Sequence, residues 1–354
     1  METDEEARAI ARGVIDLQVC AHCGFVFNAA FDPDKLAYGS RYDNTQDCSP
    51  TFAAYASSLA TQVRRSAPSA ASIVELGCGK GAFIRGLIEA SPMWLGLGFD
   101  PSYEGDAVVC DGRLRFERRF FDAQATIDDV DIVICRHVIE HVPRPVAMLT
   151  ALRAALERSP RAQLYFETPC VEWIFRNRVV WDVFYEHCSY FSTSSLSYAF
   201  AAAGFSVQAV RHVFEGQYLW LVATPARQSQ EPPVHSGEPP QAREFARDFR
   251  SSVGRWRAAA ASAGARGGVA AWGAGAKGVT LANLIDPDQT LIDCLIDLNP
   301  RKQGRFVPGT GHPIVSPQVA AQRGVRTALL MNPNYRDENE TLIKAANLPI
   351  RFVA

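Results

Sequence analysis

Between residues 51 and 66, TFAAYASSLATQVRRS, apolar side chains recur every three or four positions. Phe52, Tyr55, Leu59 and Val63 share one face, which predicts a helix. The period then changes. ASIVELG, LGLGFD (95–100) and DIVICRHV (131–138) are short, near-continuous apolar runs, the pattern of strands buried on both faces. QLYFETP (163–169) adds a strand, and VQAVRHVFEGQYLWLVAT (207–224) is long enough for a hairpin turning near Glu215-Gly216. Between these two, STSSLSYAFAAAGF reads as a helix opened by a Ser/Thr cap and stopped at Gly204. Further on, AREFARDFRSSVGRWRAAAASAG predicts a long helix, and GGVAAWGAGAKGVTLANLI a second strand, glycine loop and helix. LIDCLIDLNP and TALLMNPNY (327–335) continue that unit as strands.

Strands alternating with helices make the fold class α/β, with two Rossmann-like units. The stretch PARQSQEPPVHSGEPP, rich in proline and almost without large apolar residues, marks residues 225–240 as a linker. Residues 51–224 then form the larger unit and 241–354 a second, smaller one. Residues 1–50, short of periodic segments and carrying a CxxC, several tyrosines and YGSRYDNTQDCSP, predict a small entry module that caps the substrate.

The net charge of −2 and the absence of a basic stripe exclude nucleic acid or an anionic membrane as the main partner. The acidic opening METDEEARAI holds no apolar signal core, and no run approaches the roughly 18 apolar residues of a membrane span. A cytoplasmic protein with a small-molecule substrate, monomeric or homodimeric, is expected. Nine cysteines, an odd number without a signal segment, speak against a disulfide framework.

Chemistry concentrates in a few places. In IVELGCGKGAF, Glu75, Gly77 and Gly79 end a buried strand and open a helix, where glycines let backbone approach a ligand and a helix start offers unpaired N–H groups. The spacing is GxGxG, so neither the phosphate loop nor the dinucleotide pattern GxGxxG is met. RHVIEHV (136–142) ends a later strand at the ligand edge of such a sheet, which places Arg136 and His137 to touch a cofactor or substrate. Glu140 and His141 either join them or only begin the next helix.

The sequence E-x-G-x-G-x-G, with Asp100 closing the next strand, resembles motif I of class I S-adenosylmethionine-dependent methyltransferases. The resemblance implies that Asp100 holds the ribose hydroxyls, that Glu75 fixes the loop and the cationic methionine end, and that Gly77 and Gly79 permit close contact. Asp122, in FFDAQ, stands where the family often meets the adenine, or is a plain loop residue.

WDVFYEHCSYFST (181–193) narrows the family. Glu186-His187 followed by an aromatic pair resembles the E-H-x-x-Y-F signature of deoxysugar C-methyltransferases, three-domain enzymes with an N-terminal zinc module, a methyltransferase core and a C-terminal Rossmann-like domain. YDNTQDCSPTF, WGAGAKGV, NPRKQGRFVPGTGHPIVSP and MNPNY fall in the same order. The resemblance implies methyl transfer to a carbon beside a ketone of a nucleotide-linked sugar. His187 would take the α proton, Glu186 would orient it, and Tyr185 or Tyr42 would donate to the enolate oxygen. A histidine packed among aromatics is the plainer alternative for His187.

Cys20-Ala21-His22-Cys23-Gly24 has the form of half a zinc site, since structural zinc takes four ligands. Either His22, Cys48 or another chain completes it, or the turn persists without zinc. The second loop, Gly273-Ala274-Gly275-Ala276-Lys277-Gly278, does satisfy GxGxxG and by itself suggests NAD(P), with Asp297 as the acidic partner. Otherwise it seats a nucleotide diphosphate, with Lys277, Arg301 or Lys302 near Gly273 and Gly275, or simply packs. Methylation of oxygen, nitrogen or carbon on another metabolite, a nicotinamide oxidoreductase and a non-catalytic scaffold are the competing functions.

Overall fold

The computed structural model describes residues 1–36, 49–122, 127, 129–228 and 239–353. Tyr42, Cys48 and most of the expected linker lie outside the described residues.

The larger unit is one eight-stranded sheet. Its strands run in the order Phe205–Val213, Tyr218–Pro225, Gln163–Pro169, Ile132–Arg136, Ser72–Leu76, Leu95–Phe99, Leu114–Glu117 and Val108–Val109. The five strands from Gln163–Pro169 to Leu114–Glu117 are mutually parallel, while the hairpin at one edge and Val108–Val109 at the other are antiparallel. Both faces are covered. Ile73 packs with Ile84, Leu87 and Ile88 on one side, and Val74 with Val133, Leu149 and Phe166 on the other. This is why the central strands are apolar throughout rather than alternating. The helix read from the 51–66 periodicity is Pro50–Ser66, capped by the Ser49 hydroxyl and proline-started. Thr193–Ala202 carries a full capping box from Ser192 and Ser195. The hairpin turns over Phe214, Glu215 and Gly216, all with positive φ.

The smaller unit is an all-parallel five-stranded sheet, ordered Ile314–Val315, Cys294–Ile296, Gly268–Trp272, Val325–Leu330, Arg351–Val353. Helix Ala242–Gly264 lies against it.

The N-terminal segment is not a self-contained module. Strands Leu17–Val19 and Val26–Asn28 form a ribbon whose third strand is Ser189–Tyr190, from the YEHCSYF motif. Its first residues pack instead on the C-terminal unit. The Met1 ammonium donates to the Phe306 carbonyl at 3.0 Å, Gly309 N donates to the Ala7 carbonyl at 2.8 Å, and Arg12 donates to the Gly309 carbonyl at 2.6 Å. The segment therefore straps the two larger units together.

Two helix glycines test the packing with opposite signs. A Cβ on Gly278 would stand 1.8 Å from the Gly273 carbonyl oxygen, whereas one on exposed Gly254 would meet nothing within 4 Å. Gly278→Ala is expected to destabilise by about 1–3 kcal/mol. Gly254→Ala should stabilise by roughly 0.5–1 kcal/mol. Thermal denaturation of both variants beside the parent checks the pair of signs.

Candidate active site

The first glycine loop leaves the strand Ser72–Leu76 as Gly77 N and Cys78 N donate to the Phe99 carbonyl at 2.8 and 3.1 Å. Gly77 and Gly79 have φ of +68° and +54°, and a Cβ on Gly77 would strike Val138 at 2.2 Å. At Gly79 nothing lies within 4 Å, so the backbone there faces open space, as close approach of a ligand requires. Gly79 N donates to Asp100 Oδ2 at 2.8 Å, and Ser102 supplies N and Oγ to Oδ1, both at 2.7 Å. The carboxylate is thereby fixed beside the loop. Glu75, 3% exposed, accepts from Ile84 N at 3.2 Å, and burial pushes it up to about 7 against the opposing pull of Arg136.

RHVIEHV delivers Arg136 and His137 to the same space. Arg136 Nε donates to Glu167 Oε2 at 2.6 Å, and its guanidinium lies 4.3 Å over the Phe83 ring. His137 takes a positive φ, with its ring nitrogens 3.4 Å from Glu140 and 3.5 Å from Glu167. Burial alone would lower its pKa, but the two carboxylates hold it at about 9, so it is a cation at neutral pH. Glu167 and Tyr55, which donates to Glu167 Oε1, carry no assignment from sequence. The available signal was a lone carboxylate within the apolar strand QLYFETP.

His187 is 6% exposed and lines this cavity. Its ring sits 3.9 Å from Phe184 and 4.8 Å from His141, and Nδ1 is buried with no hydrogen-bond partner. Burial first, then the charges of His141, Lys277 and His137, push it well below its ordinary pKa. This corrects the orienting role expected of Glu186. That residue enters through its backbone carbonyl, 2.8 Å from His141 Nδ1, and does not figure among the groups that move His187. The structure also keeps Tyr185 from the cavity. Its hydroxyl accepts from Asp32 N at 2.8 Å and donates to the Asp32 carbonyl at 3.2 Å, anchoring the N-terminal segment.

The C-terminal unit closes the cavity, which has a volume of about 870 Å³. Gly273, Gly275, Lys277 and Lys302 line it; Arg301 does not. Lys277 donates to buried Asp182 at 2.7 Å, and Asn332 donates to Gln217 at 2.9 Å, so the units are joined by polar contacts beside the site. Asp297 accepts from Ala274 N at 2.8 Å. Asp122 lies outside the lining, 3.4 Å from Arg119.

Three places among the described residues offer metal ligands: the Cys20–Cys23 turn, Cys170 with Glu172 and His212, and Glu140 with His141 and His187. Cys20 and Cys23 close a turn in which Cys20 N donates to the Phe25 carbonyl at 2.8 Å, but His22 packs on Tyr198 instead. Among the described residues two thiols are present where structural zinc takes four ligands, so no chemistry is derived from it. Glu140, His141 and His187 bring ligand atoms within 4.8 Å of one another. Glu140 already faces the His137 cation, however, and accepts from Thr168 Oγ1 at 3.1 Å.

The open loop at Gly79, the fixed carboxylate of Asp100 and the polar floor fit S-adenosylmethionine. Asp100→Ala should remove charge-assisted hydrogen bonds worth about 1.5–3 kcal/mol, or roughly ten- to hundredfold in cofactor affinity. Calorimetry with S-adenosylhomocysteine measures it, and unchanged affinity in the folded variant would remove Asp100 from the site.

Residues 51–210 match the methyltransferase domain family, and residues 229–347 match the C-methyltransferase C-terminal domain. The second glycine loop thus lies in a segment shared with C-methyltransferases. The chain is 28% identical to the C-methyltransferase NovU of Streptomyces niveus over 286 residues, 75% of this chain and 67% of that protein. Among solved structures it overlaps the riboflavin-derivative dimethyltransferase RosA of Streptomyces davawensis, with TM-score 0.38, 16% identity and coverage of 49% and 54% of the two chains. It likewise overlaps CalO1, a methyltransferase in calicheamicin biosynthesis, with TM-score 0.38, 15% identity and coverage of 48% and 54%. The chain thus spans about half the length of these two solved proteins. With a methyltransferase domain in residues 51–210, a C-methyltransferase C-terminal domain in residues 229–347 and 28% identity to NovU, the chain is similar to the S-adenosylmethionine-dependent C-methyltransferases.

Proposed function

We propose that this protein methylates a carbon next to a ketone in a nucleotide-linked deoxysugar, with His187 as the base. The observation that carries the reading is a buried imidazole, unpartnered at Nδ1, in the cavity that both glycine loops line. S-adenosylmethionine, when bound, supplies an electrophilic methyl group, so the protein's task is to make the acceptor carbon nucleophilic and to align it. His187 does this by taking the α proton. The C–H electron pair becomes that of the enolate and the proton stays on His187; the enolate carbon would then bond to the methyl group as the sulfonium C–S bond breaks, its electron pair staying on the sulfur of the departing S-adenosylhomocysteine.

Neutral imidazole is the form that accepts a proton, and burial beside cationic Lys277 and His137 favours that form. The aromatic wall of Phe184 and Tyr190 around it sheds water. At the far end, Gly273 and Gly275 with Lys302 offer backbone and one cation to a diphosphate, which supports a nucleotide-linked acceptor. Of the enolate donors expected, Tyr185 is committed to Asp32 and Tyr42 lies outside the described residues.

His187→Ala should leave affinity for S-adenosylhomocysteine within threefold while methyl transfer falls by roughly 10²–10⁴-fold, the usual contribution of a positioned base. In heavy water, the parent enzyme given a ketone substrate and S-adenosylhomocysteine should exchange the α hydrogen, and the variant should not. NMR of the product places the methyl group; a methyl on oxygen or nitrogen would overturn the reading.

The pH profile is a further check. A pKa held below the ordinary value of about 6.5 leaves His187 neutral above it. The acid limb of kcat/KM should therefore fall below about pH 6.5. A limb displaced above that value would contradict the low-pKa base.

A further inference from the structure

Outside the cavity, Cys170, Glu172 and His212 bring a thiol, a carboxylate oxygen and an imidazole nitrogen within 4.8 Å of one another. Three elements converge there. Cys170 and Glu172 follow the strand Gln163–Pro169, His212 belongs to the edge strand Phe205–Val213, and Thr193, which opens the helix Thr193–Ala202, bridges Glu172 and His212. Cys170 Sγ lies 3.8 Å from Glu172 Oε2 and 3.7 Å from His212 Nδ1. Cys170 is fully buried and His212 exposed, so the cluster opens to solvent on the imidazole side.

The cluster holds more lone pairs than protons. A carboxylate carries no hydrogen, so the Thr193 hydroxyl donates to Glu172 Oε2, at 3.1 Å, and can only accept from His212 Nε2, at 3.3 Å. That fixes the tautomer. In the neutral imidazole Nδ1 then bears the lone pair, and it faces a sulfur whose one proton Glu172 also faces. A single S–H serves one of these acceptors well; a cation among them serves all three. Around a tetrahedral zinc, with Zn–S of about 2.3 Å and Zn–N or Zn–O of about 2.0–2.1 Å, sulfur stands roughly 3.6 Å from its fellow ligands. The spacing matches. A thiol with an imidazole and a carboxylate suits zinc rather than calcium or magnesium, which take oxygen ligands. Thr193 completes the pattern, because a ligating histidine ordinarily passes its other N–H to a neighbouring acceptor.

We infer that Cys170, Glu172 and His212 form a zinc site, with Cys170 as thiolate, His212 bound through Nδ1, Glu172 through a carboxylate oxygen and a fourth position open to water. The thiol proton leaves to solvent as the metal binds. Glu172 and Thr193 stand at the two ends of the segment that carries His187, and His212 stands in the hairpin, so an ion here pins both ends of that segment to the edge of the sheet. The site is separate from the Cys20–Cys23 turn, and it depends neither on the methyl acceptor nor on His187.

Zinc itself is the probe, added to the full chain carrying Cys20→Ser and Cys23→Ser after removal of metal with a chelator. Calorimetry should find a single zinc bound with a Kd of about 1 μM or lower. Cobalt(II) in its place should give the near-ultraviolet charge-transfer band of a cobalt–thiolate bond, and Cys170→Ser should abolish that band. His212→Ala, at an exposed strand position that spares the core, should weaken zinc at least tenfold. Thr193→Val, which keeps the shape of the side chain and removes the hydroxyl, should weaken it roughly ten- to hundredfold. His187→Ala should leave zinc affinity unchanged; a loss there would move the ion to the cluster of Glu140, His141 and His187 and overturn the assignment. No zinc bound at about 100 μM, a cobalt–thiolate band that survives Cys170→Ser, or full affinity in His212→Ala would each overturn it as well.

Discussion

A carboxylate enclosed in the middle of a sheet has to be neutralised where it stands, and Glu167 is neutralised by Arg136, His137 and Tyr55 together. Burial would raise its pKa, but these partners take it down to about 2. Removing one partner from such a buried pair typically costs about 3–5 kcal/mol, since the other charge is left uncompensated. The consequences spread from there. The guanidinium is held flat on Phe83, next to the glycine loop; His137 is kept charged; and the helix Pro50–Ser66 is tied to the sheet through a hydroxyl.

Opposite that charged floor lies an imidazole with the reverse treatment. His137 and His187 face one cavity, yet the first is surrounded by carboxylates and charged, while the second is packed in aromatics, near positive charge, and neutral. Two identical side chains are thus given different protonation states by their surroundings.

The cavity belongs to no single unit. Its walls come from the methyltransferase sheet, the 181–193 motif and the second glycine loop, held together by Lys277 on Asp182 and Asn332 on Gln217. The N-terminal ribbon takes Ser189–Tyr190 as its third strand, two residues after His187. Loss of that pairing would release the segment that carries His187 as well as the ribbon.

The sequence by itself determined the two α/β units, the first glycine loop with Asp100, and the motif holding His187, because periodicity and glycine spacing are local properties of the chain. It also placed the helix Pro50–Ser66 and the hairpin turn at Glu215-Gly216. Only the tertiary structure decided what those side chains meet. Glu186 is adjacent to His187 in the chain, but its side chain takes no part in setting the histidine's charge, while Lys277, distant in sequence, does. Tyr185 is turned to Asp32, and Glu167 becomes the centre of the floor only when strands 31 positions apart are laid side by side. The physical reason is that a pKa and a hydrogen bond depend on distance and burial in space, and neighbours along a chain that turns need share neither.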